Sequence, residues 1–460
     1  MKLFHLIGVL GCILLTGCAT WYQRTAAFQE AVNQGNFEQA EKLLQKDKKQ
    51  ARDKNKILYY LNQGYVEFML GHYEKSNQAF ETAEQLTEDQ HRNALTEAAV
   101  LVTNPEIRPY KPEDFEVIMI NFYKALNYLQ MNNMEDALVE VRKINIRLQQ
   151  LNDKYPDHKN RYQRDAFAQL LMGLIYDAAG DANNAFIAYR NAYDTYQNDY
   201  VKNFGLAAPE QLKQDLLRTA YTCGLTSELQ EYEKQFNTRY TPLPPSPNGQ
   251  LVLFWLNGFG PVKSEWGITF TKIQRNDGAI VFHNEELGLA FPFFWGNGYN
   301  ENDRNSLADV NVVRAVFPKY TERLPAFNQG LLTYDNKTYA LQKAEDINQI
   351  AFKTLHDRMV RELSNSLLRV AVKQGLRYTA SKQNEWLGFA VGLANAFTEK
   401  ADTRNWQTLP YSISYARVPL NASENKIGLK FTGPKATPDN QQIEIPSDNK
   451  GTRFFVYTTL

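Results

Sequence analysis

Gly71-His72-Tyr73-Glu74-Lys75-Ser76 is a tight turn running into the start of an amphipathic helix, and the chain repeats it. Copies stand at Gly35-Asn36-Phe37-Glu38-Gln39-Ala40, Asn132-Asn133-Met134-Glu135-Asp136-Ala137 and Gly180-Asp181-Ala182-Asn183-Asn184-Ala185. Four residues beyond each closing small residue comes Leu44, Phe80, Val141 or Tyr189. Gly64 and Gly173 precede two of the turns, where a small residue lets two helices approach closely. Around these copies, residues 24 to 240 are rich in Ala, Leu, Tyr, Glu, Gln and Lys with little strand alternation, so the segment reads as helical throughout.

The repeating unit resembles the tetratricopeptide repeat, a helix-turn-helix element of about 34 residues. Its small residues at 40, 76, 137 and 185 are 36, 61 and 48 apart, so insertions interrupt the array, the longest around Asn104 to Pro112. Two further helices, near Pro209 to Tyr221 and Ser227 to Phe236, are placed to cap the end. The competing reading is a helical bundle with chance turns. Residues 18–240 are thus expected to form a helical-repeat domain whose concave groove holds envelope proteins or peptides, as such solenoids commonly do.

Thr241-Pro242-Leu243-Pro244-Pro245-Ser246-Pro247-Asn248-Gly249 carries four prolines in nine residues and reads as a semi-rigid spacer at the domain boundary, 241–249. Beyond it the character changes. Leu251 to Leu256 is a continuous apolar run, as in a buried strand. Trp266 to Ile273 and Ala279 to Phe282 flank Asn276-Asp277-Gly278 as a hairpin. Seven further strands follow, from Ala290 to Thr459, which predicts a β-rich sandwich or open barrel over 250–460. Helical spacing interrupts it at about 344–376, and an apolar Gly- and Ala-rich stretch predicts a second helix at 385–399. The fold class is therefore α+β multidomain.

The amino terminus has a charged start, an apolar run from Leu3 to Leu15 and then Leu15-Thr16-Gly17-Cys18. The run is too short to span a bilayer and describes a signal peptide, residues 1–17. Its end resembles the lipobox of bacterial lipoproteins, which implies a diacylglycerol on Cys18 and, with Ala19 rather than Asp next, an outer-membrane anchor facing the periplasm. Of three cysteines, Cys12 leaves with the signal and Cys18 carries lipid, so Cys223 has no intramolecular partner. Lys plus Arg and Asp plus Glu are both 51, which leaves no net field for nucleic acid.

No catalytic, nucleotide-binding or metal-ligand spacing stands out, and no cofactor or metal is expected. The densest segment is Glu399 to Pro410, with Ala401-Asp402-Thr403-Arg404-Asn405-Trp406-Gln407-Thr408-Leu409-Pro410 at its centre. Together with Gly258-Phe259-Gly260-Pro261-Val262-Lys263 it resembles a family of uncharacterised bacterial lipoproteins, in which an Ala-Asp-Thr-Arg-Ser-Trp-x-x-Leu-Pro segment follows a Gly- and Ala-rich helix. Asn405 stands where that pattern has Ser. Asp402 and Arg404 are candidates to pair, with the guanidinium stacked on Trp406 or aimed at a ligand carboxylate. The alternative is that they hold a helix-to-strand corner while Trp406 and Leu409 fill the core. Phe291, Trp295 and Tyr299 form a second candidate, an aromatic loop for a glycan or small ligand. Lys263 and Glu265 read as solvated. The expected function is a non-enzymatic adaptor in envelope assembly or cell-wall synthesis. Its alternatives are a ligand-binding module using the aromatic loop and, further off, a hydrolase on the β domain.

Overall fold

Between Trp21 and Gln235 the backbone doubles back five times as a pair of helices. The pairs are α1 (Trp21–Asn33) with α2 (Phe37–Lys46), α3 (Lys56–Met69) with α4 (Tyr73–Arg92), and α5 (Asp114–Gln130) with α6 (Met134–Lys154). They continue with α7 (Ala166–Ala178) and α8 (Ala182–Thr195), then a short α9 (Val201–Phe204), and α10 (Glu210–Thr222) with α11 (Thr226–Gln235). This computed structural model describes residues 21–92, 108–154, 162, 164–242, 246, 248–274, 280–284, 289–293, 312–357, 401–421, 424–434, 436–446 and 451–460.

One device makes all five turns. Gly35, Gly71, Asn132, Gly180 and Gly224 take φ of 70°, 75°, 57°, 80° and 68°, the left-handed region that glycine and asparagine enter most cheaply. At Gly71 the amide donates to Phe68 O and the next amide, of His72, donates to Glu67 O, and the same pair of bonds recurs at the other four turns. Asn36, Asn133 and Asp181 then cap the following helices through their side chains. The small residues Ala40, Ser76, Ala137 and Ala185 are wholly buried where the helices cross. The expected terminal cap is thus a fifth hairpin of the same design, with Leu229 where the others have a small residue.

Gly64 and Gly173 sit at the tightest crossings. A Cβ on Gly64 would come within 2.6 Å of the Phe80 ring, and one on Gly173 would enter the Tyr189 ring. Gly173→Ala is expected to destabilise by about 1–3 kcal/mol through overpacking. Gly71→Ala meets open space and is expected to lose only the backbone term of about 1 kcal/mol. Urea unfolding of the two variants distinguishes these; equal losses would mean that the Gly173 crossing relaxes freely.

The other half contains twelve strands among the described residues, in three sheets of four. They are β1 (Gln250–Asn257), β2 (Val262–Gln274), β3 (Ile280–Asn284), β4 (Leu289–Phe293), β5 (Val312–Thr321) and β6 (Gln329–Tyr334). Then come β7 (Lys337–Ala340), β8 (Gln342–Asp346), β9 (Ser412–Pro419), β10 (Glu424–Gly433), β11 (Ala436–Pro446) and β12 (Thr452–Thr459). The central sheet runs β12-β1-β9-β8, with β1 and β12 parallel. The outer sheet runs β11-β10-β6-β7, and the third β4-β3-β2-β5.

The central sheet is apolar on both faces, which is why Leu251 to Leu256 shows no alternation. Leu251, Leu253 and Trp255 face the outer sheet and meet Leu332, Leu429 and Phe431. Val252, Phe254 and Leu256 face the helices in one cluster with Tyr123, Phe167 and Tyr415. Three layers result: helical hairpins, central sheet, outer sheet. Of the two β architectures expected, the central and outer sheets stack as a sandwich. One expectation needs correction: the two halves are not held apart, because both share one core.

The helix expected from Ala344 begins later, at 347, and is described as far as 357, with 358–376 lying outside the described residues. Ala344 to Asp346 belong to β8, and β7 and β8 were not foreseen. Asp335 and Asn336 both take positive φ between β6 and β7, a primed hairpin turn that a six-residue apolar run alone does not announce. The 385–399 helix, the Asn276-Asp277-Gly278 turn, Cys18, Trp295 and Tyr299 lie outside the described residues. No helix among the described residues is long and apolar enough to cross a membrane.

Candidate functional site

The segment from Ala401 to Pro410 threads between the halves with little regular structure and enters β9. Asp402 accepts from the Arg404 amide at 3.0 Å, and its two oxygens take Arg404 Nε at 2.8 Å and Nη2 at 2.7 Å. Arg404 Nη1 donates to Asn55 Oδ1 and to the Arg108 carbonyl, each at 3.0 Å. The guanidinium lies 5.6 Å from the Tyr110 ring centre, so the aromatic that it meets is Tyr110 rather than Trp406. Arg404 is 2% exposed. An incoming carboxylate therefore finds the fork already engaged by the chain itself.

Trp406 reaches into the helical half. It is 1% exposed, with ring centres 5.6 Å from Phe80 and 5.7 Å from Tyr123. Its amide donates to Glu116 Oε1 at 2.7 Å and its Nε1 to Thr408 at 2.8 Å. Asn405 accepts from the Lys263 amide and donates to the Pro261 carbonyl, while Gly260 donates to Leu409 O at 2.7 Å. The Gly-Phe-Gly-Pro-Val-Lys run and the Asp-Thr-Arg segment are thus one construction.

Lys263 is not solvated: it is buried and its ammonium pairs with Glu113. Glu265 is exposed, and it accepts from the Ala401 amide at 3.1 Å. Glu113 and Glu116 stand one turn apart at the start of α5 in a capping box. Burial, with the Glu113 carboxylate beside it, pushes Glu116 up to about 7, against the pull of the Tyr110 hydroxyl, Lys263 and the Trp406 amide.

A second clamp joins β9 to the helices. Arg417 Nη1 lies 2.7 Å from Asp177 and 2.8 Å from Asp215, and Nη2 donates to the Tyr189 hydroxyl at 3.1 Å. All are buried. Burial alone would raise Asp177, but Arg417 and Arg218 hold its carboxyl below the ordinary range. Tyr196 donates to the Ala344 carbonyl at 2.6 Å, and Gln130 to that of Phe454 at 3.3 Å.

These contacts fall mostly on the first helix of the hairpins, on α5, α7 and α10, and on the loops beside them, joined by Phe80 of α4 and Tyr189 of α8. The first-helix face is covered by the chain's own central sheet. The second helices are tied together separately. Lys124, 2% exposed, lies 2.9 Å from Glu84 and 3.1 Å from Glu140, and Glu84 is lowered to about 2 because its cationic and amide partners outweigh burial.

Phe291 lies in β4, where its backbone pairs with Phe282. Sequence reasoning missed Glu113, Glu116, Asp177, Asp215 and Arg417. The one available sign was Arg417 itself, a lone cation inside an otherwise apolar strand, which needs a buried partner.

No protein-family model matches the chain, and no curated protein does. Among solved structures, BtubC (BKLC) from P. vanneervenii is similar over 48% of this chain and 82% of its own, at 17% identity and a TM-score of 0.32. MamA is similar over 45% of this chain and 91% of its own, at 15% identity and a TM-score of 0.29. The Rap conjugation gene regulator of the plasmid pLS20, in complex with the Phr* peptide, is similar over 47% of this chain and 54% of its own, at 14% identity and a TM-score of 0.28.

Proposed function

We propose that the chain is a lipoprotein held at the outer membrane through Cys18, facing the periplasm, and that it serves there as a protein-interaction adaptor in envelope assembly or cell-wall synthesis. In this reading it is not an enzyme, and its hairpins are tetratricopeptide-like units with a β-sandwich built onto them. One observation carries it. Five hairpins with one repeated turn form a continuous helical array, an architecture that presents surface to other macromolecules. Because the first-helix face is taken up by the chain's own sheet, partners are met by the second helices. On α6, Val139 and Ile146 are one heptad apart and 44% and 55% exposed.

Two residues separate Cys18 from α1, so the anchor holds the first hairpin within about 10 Å of the lipid-bearing residue. Each buried methylene contributes about 0.8 kcal/mol, and durable anchoring takes more than one acyl chain. Cys18→Ser is expected to move the protein from the membrane fraction to the soluble fraction of lysed cells. A photo-crosslinking residue at position 146 is expected to give discrete envelope-protein adducts with the lipidated protein and to lose them with Cys18→Ser. A Cys18→Ser protein that stays with the membrane, or an absence of adducts in the lipidated form, would overturn the reading.

A further inference from the structure

Where α7 meets β8, two buried carboxyl groups come together from opposite halves of the chain. Asp165 caps α7, accepting from the Ala168 amide and from the Tyr162 hydroxyl, each at 2.7 Å, and is 6% exposed. Glu345 is 2% exposed, and the Tyr200 hydroxyl lies 3.3 and 3.5 Å from its two oxygens. A bulge between Lys343 and Glu345 interrupts the pairing of β8 with β9. Such bulges re-aim side chains. Both carboxyls line one small cavity whose other walls are apolar, among them Ile118 and Phe122 of α5, Ile144 of α6 and Ile347.

No cation faces this pair among the described residues. Tyr162, Tyr196 and Tyr200 surround it from the helical side. From β8 comes Asp346, whose own ion pair is with Lys343 at 2.9 Å. The contrast with the rest of the boundary is plain: Lys263 meets Glu113 and Arg417 meets Asp177 and Asp215, whereas Asp165 and Glu345 are engaged by phenol hydroxyls and backbone amides. Two carboxylates in an apolar site cannot both ionise without strong repulsion, so such a pair keeps a proton.

We propose that Asp165 and Glu345 form a proton-held latch between the helical and β halves, closed while the pair keeps its proton and forced apart when it is lost. Burial, with the neighbouring carboxyl next, raises Glu345 well above its ordinary value, and burial likewise raises Asp165. A folded value above the unfolded one gives stability that is complete below the ordinary carboxyl range and declines as pH climbs through the raised values. The latch therefore loosens on the alkaline side. The physics is independent of the adaptor reading; only its exposure to external pH rests on the envelope location.

The test uses the full chain with Glu345→Gln and with Asp165→Asn, the second of which keeps a side chain able to cap α7. Thermal midpoints are followed from about pH 5 to about pH 9, on either side of neutrality. The wild type is expected to lose stability towards the alkaline end, a loss to which the raised Glu116 also contributes, and either variant to shrink that loss relative to Glu116→Gln, which leaves the latch in place. Amide exchange in α7 and β8 of the wild type is expected to quicken over the same range beyond its intrinsic pH trend. Infrared spectra of the wild type provide a readout that needs no variant, a protonated-carboxyl band that persists at neutral pH and fades on the alkaline side. Variants that retain the full alkaline loss, or a wild type without that band, would overturn the latch.

Discussion

Trp406→Ala is expected to lower the unfolding free energy by about 3–5 kcal/mol, the range for removing a buried aromatic ring whose cavity cannot collapse. The ring is held by Phe80 and Tyr123, both fully buried, and these sit beside the Gly64 crossing that already brings α3 and α4 close together. Little movement is available to fill the void. Trp406 belongs to the β half by sequence and to the helical core by position, so the loss should appear as one lowered transition seen by every probe. Trp406→Phe keeps part of the contact and is expected to lose less than the alanine variant. Hydrogen exchange gives the decisive comparison. Were residues 401–410 an arm resting in a groove, Trp406→Ala would speed exchange in that segment alone and leave the global transition in place. That outcome, or a loss below about 1 kcal/mol, would sink the shared-core account.

What sequence showed and what it concealed divides by distance along the chain. The turn at Gly180 and the helix after it are settled within about one helical turn, by a left-handed residue and then a side-chain cap. Gly64 and Gly173 were legible because a small residue facing a ring sixteen positions later is still a local pattern. The fifth hairpin shares the Gly224 turn, but Leu229 breaks the small-residue signature, so it read only as a cap. β7 and β8 are four and five residues long and carry mostly polar side chains, too short to show a period. The boundary between the halves was the least legible part. Lys263 and Glu113 are 150 positions apart, and nothing near either residue names the other. For the same reason the covering of the first-helix face was not foreseen: its occupant is encoded in the second half of the chain. Asp402, Arg404 and Trp406 were found as a dense motif, but their use depends on Asn55, Arg108 and Glu116, which only folding brings to them.

Arg417→Ala is expected to be as damaging as the loss of Trp406, for a different reason. Removing one partner of a buried ion cluster leaves the other charges desolvated and unmatched, typically at a cost of about 3–5 kcal/mol. Here Asp177 would keep the fork of Arg218, whereas Asp215, 1% exposed, would be left with Arg218 at 3.5 Å and Gln211 at 3.2 Å. The penalty belongs to the stranded Asp215 carboxylate more than to the missing guanidinium, so a second substitution should recover part of it. Arg417→Ala combined with Asp215→Asn is expected to be more stable than Arg417→Ala alone, a non-additivity of the size that residues in one network show. The pH dependence has a definite sign. Asp177 is lowered in the folded state, so its contribution is present above the ordinary carboxyl range and is lost as pH falls through the lowered value. Arg417→Ala should therefore weaken the acid limb of the stability profile, the rest of it being kept by Arg218, and should push Asp215, which burial already raises against the pull of Arg417, further up. Denaturant unfolding of the single and double variants from acid to neutral pH measures both. Strict additivity, with the acid limb intact, would mean that Arg417 acts through packing alone and that the β half is held to the helices by its apolar face.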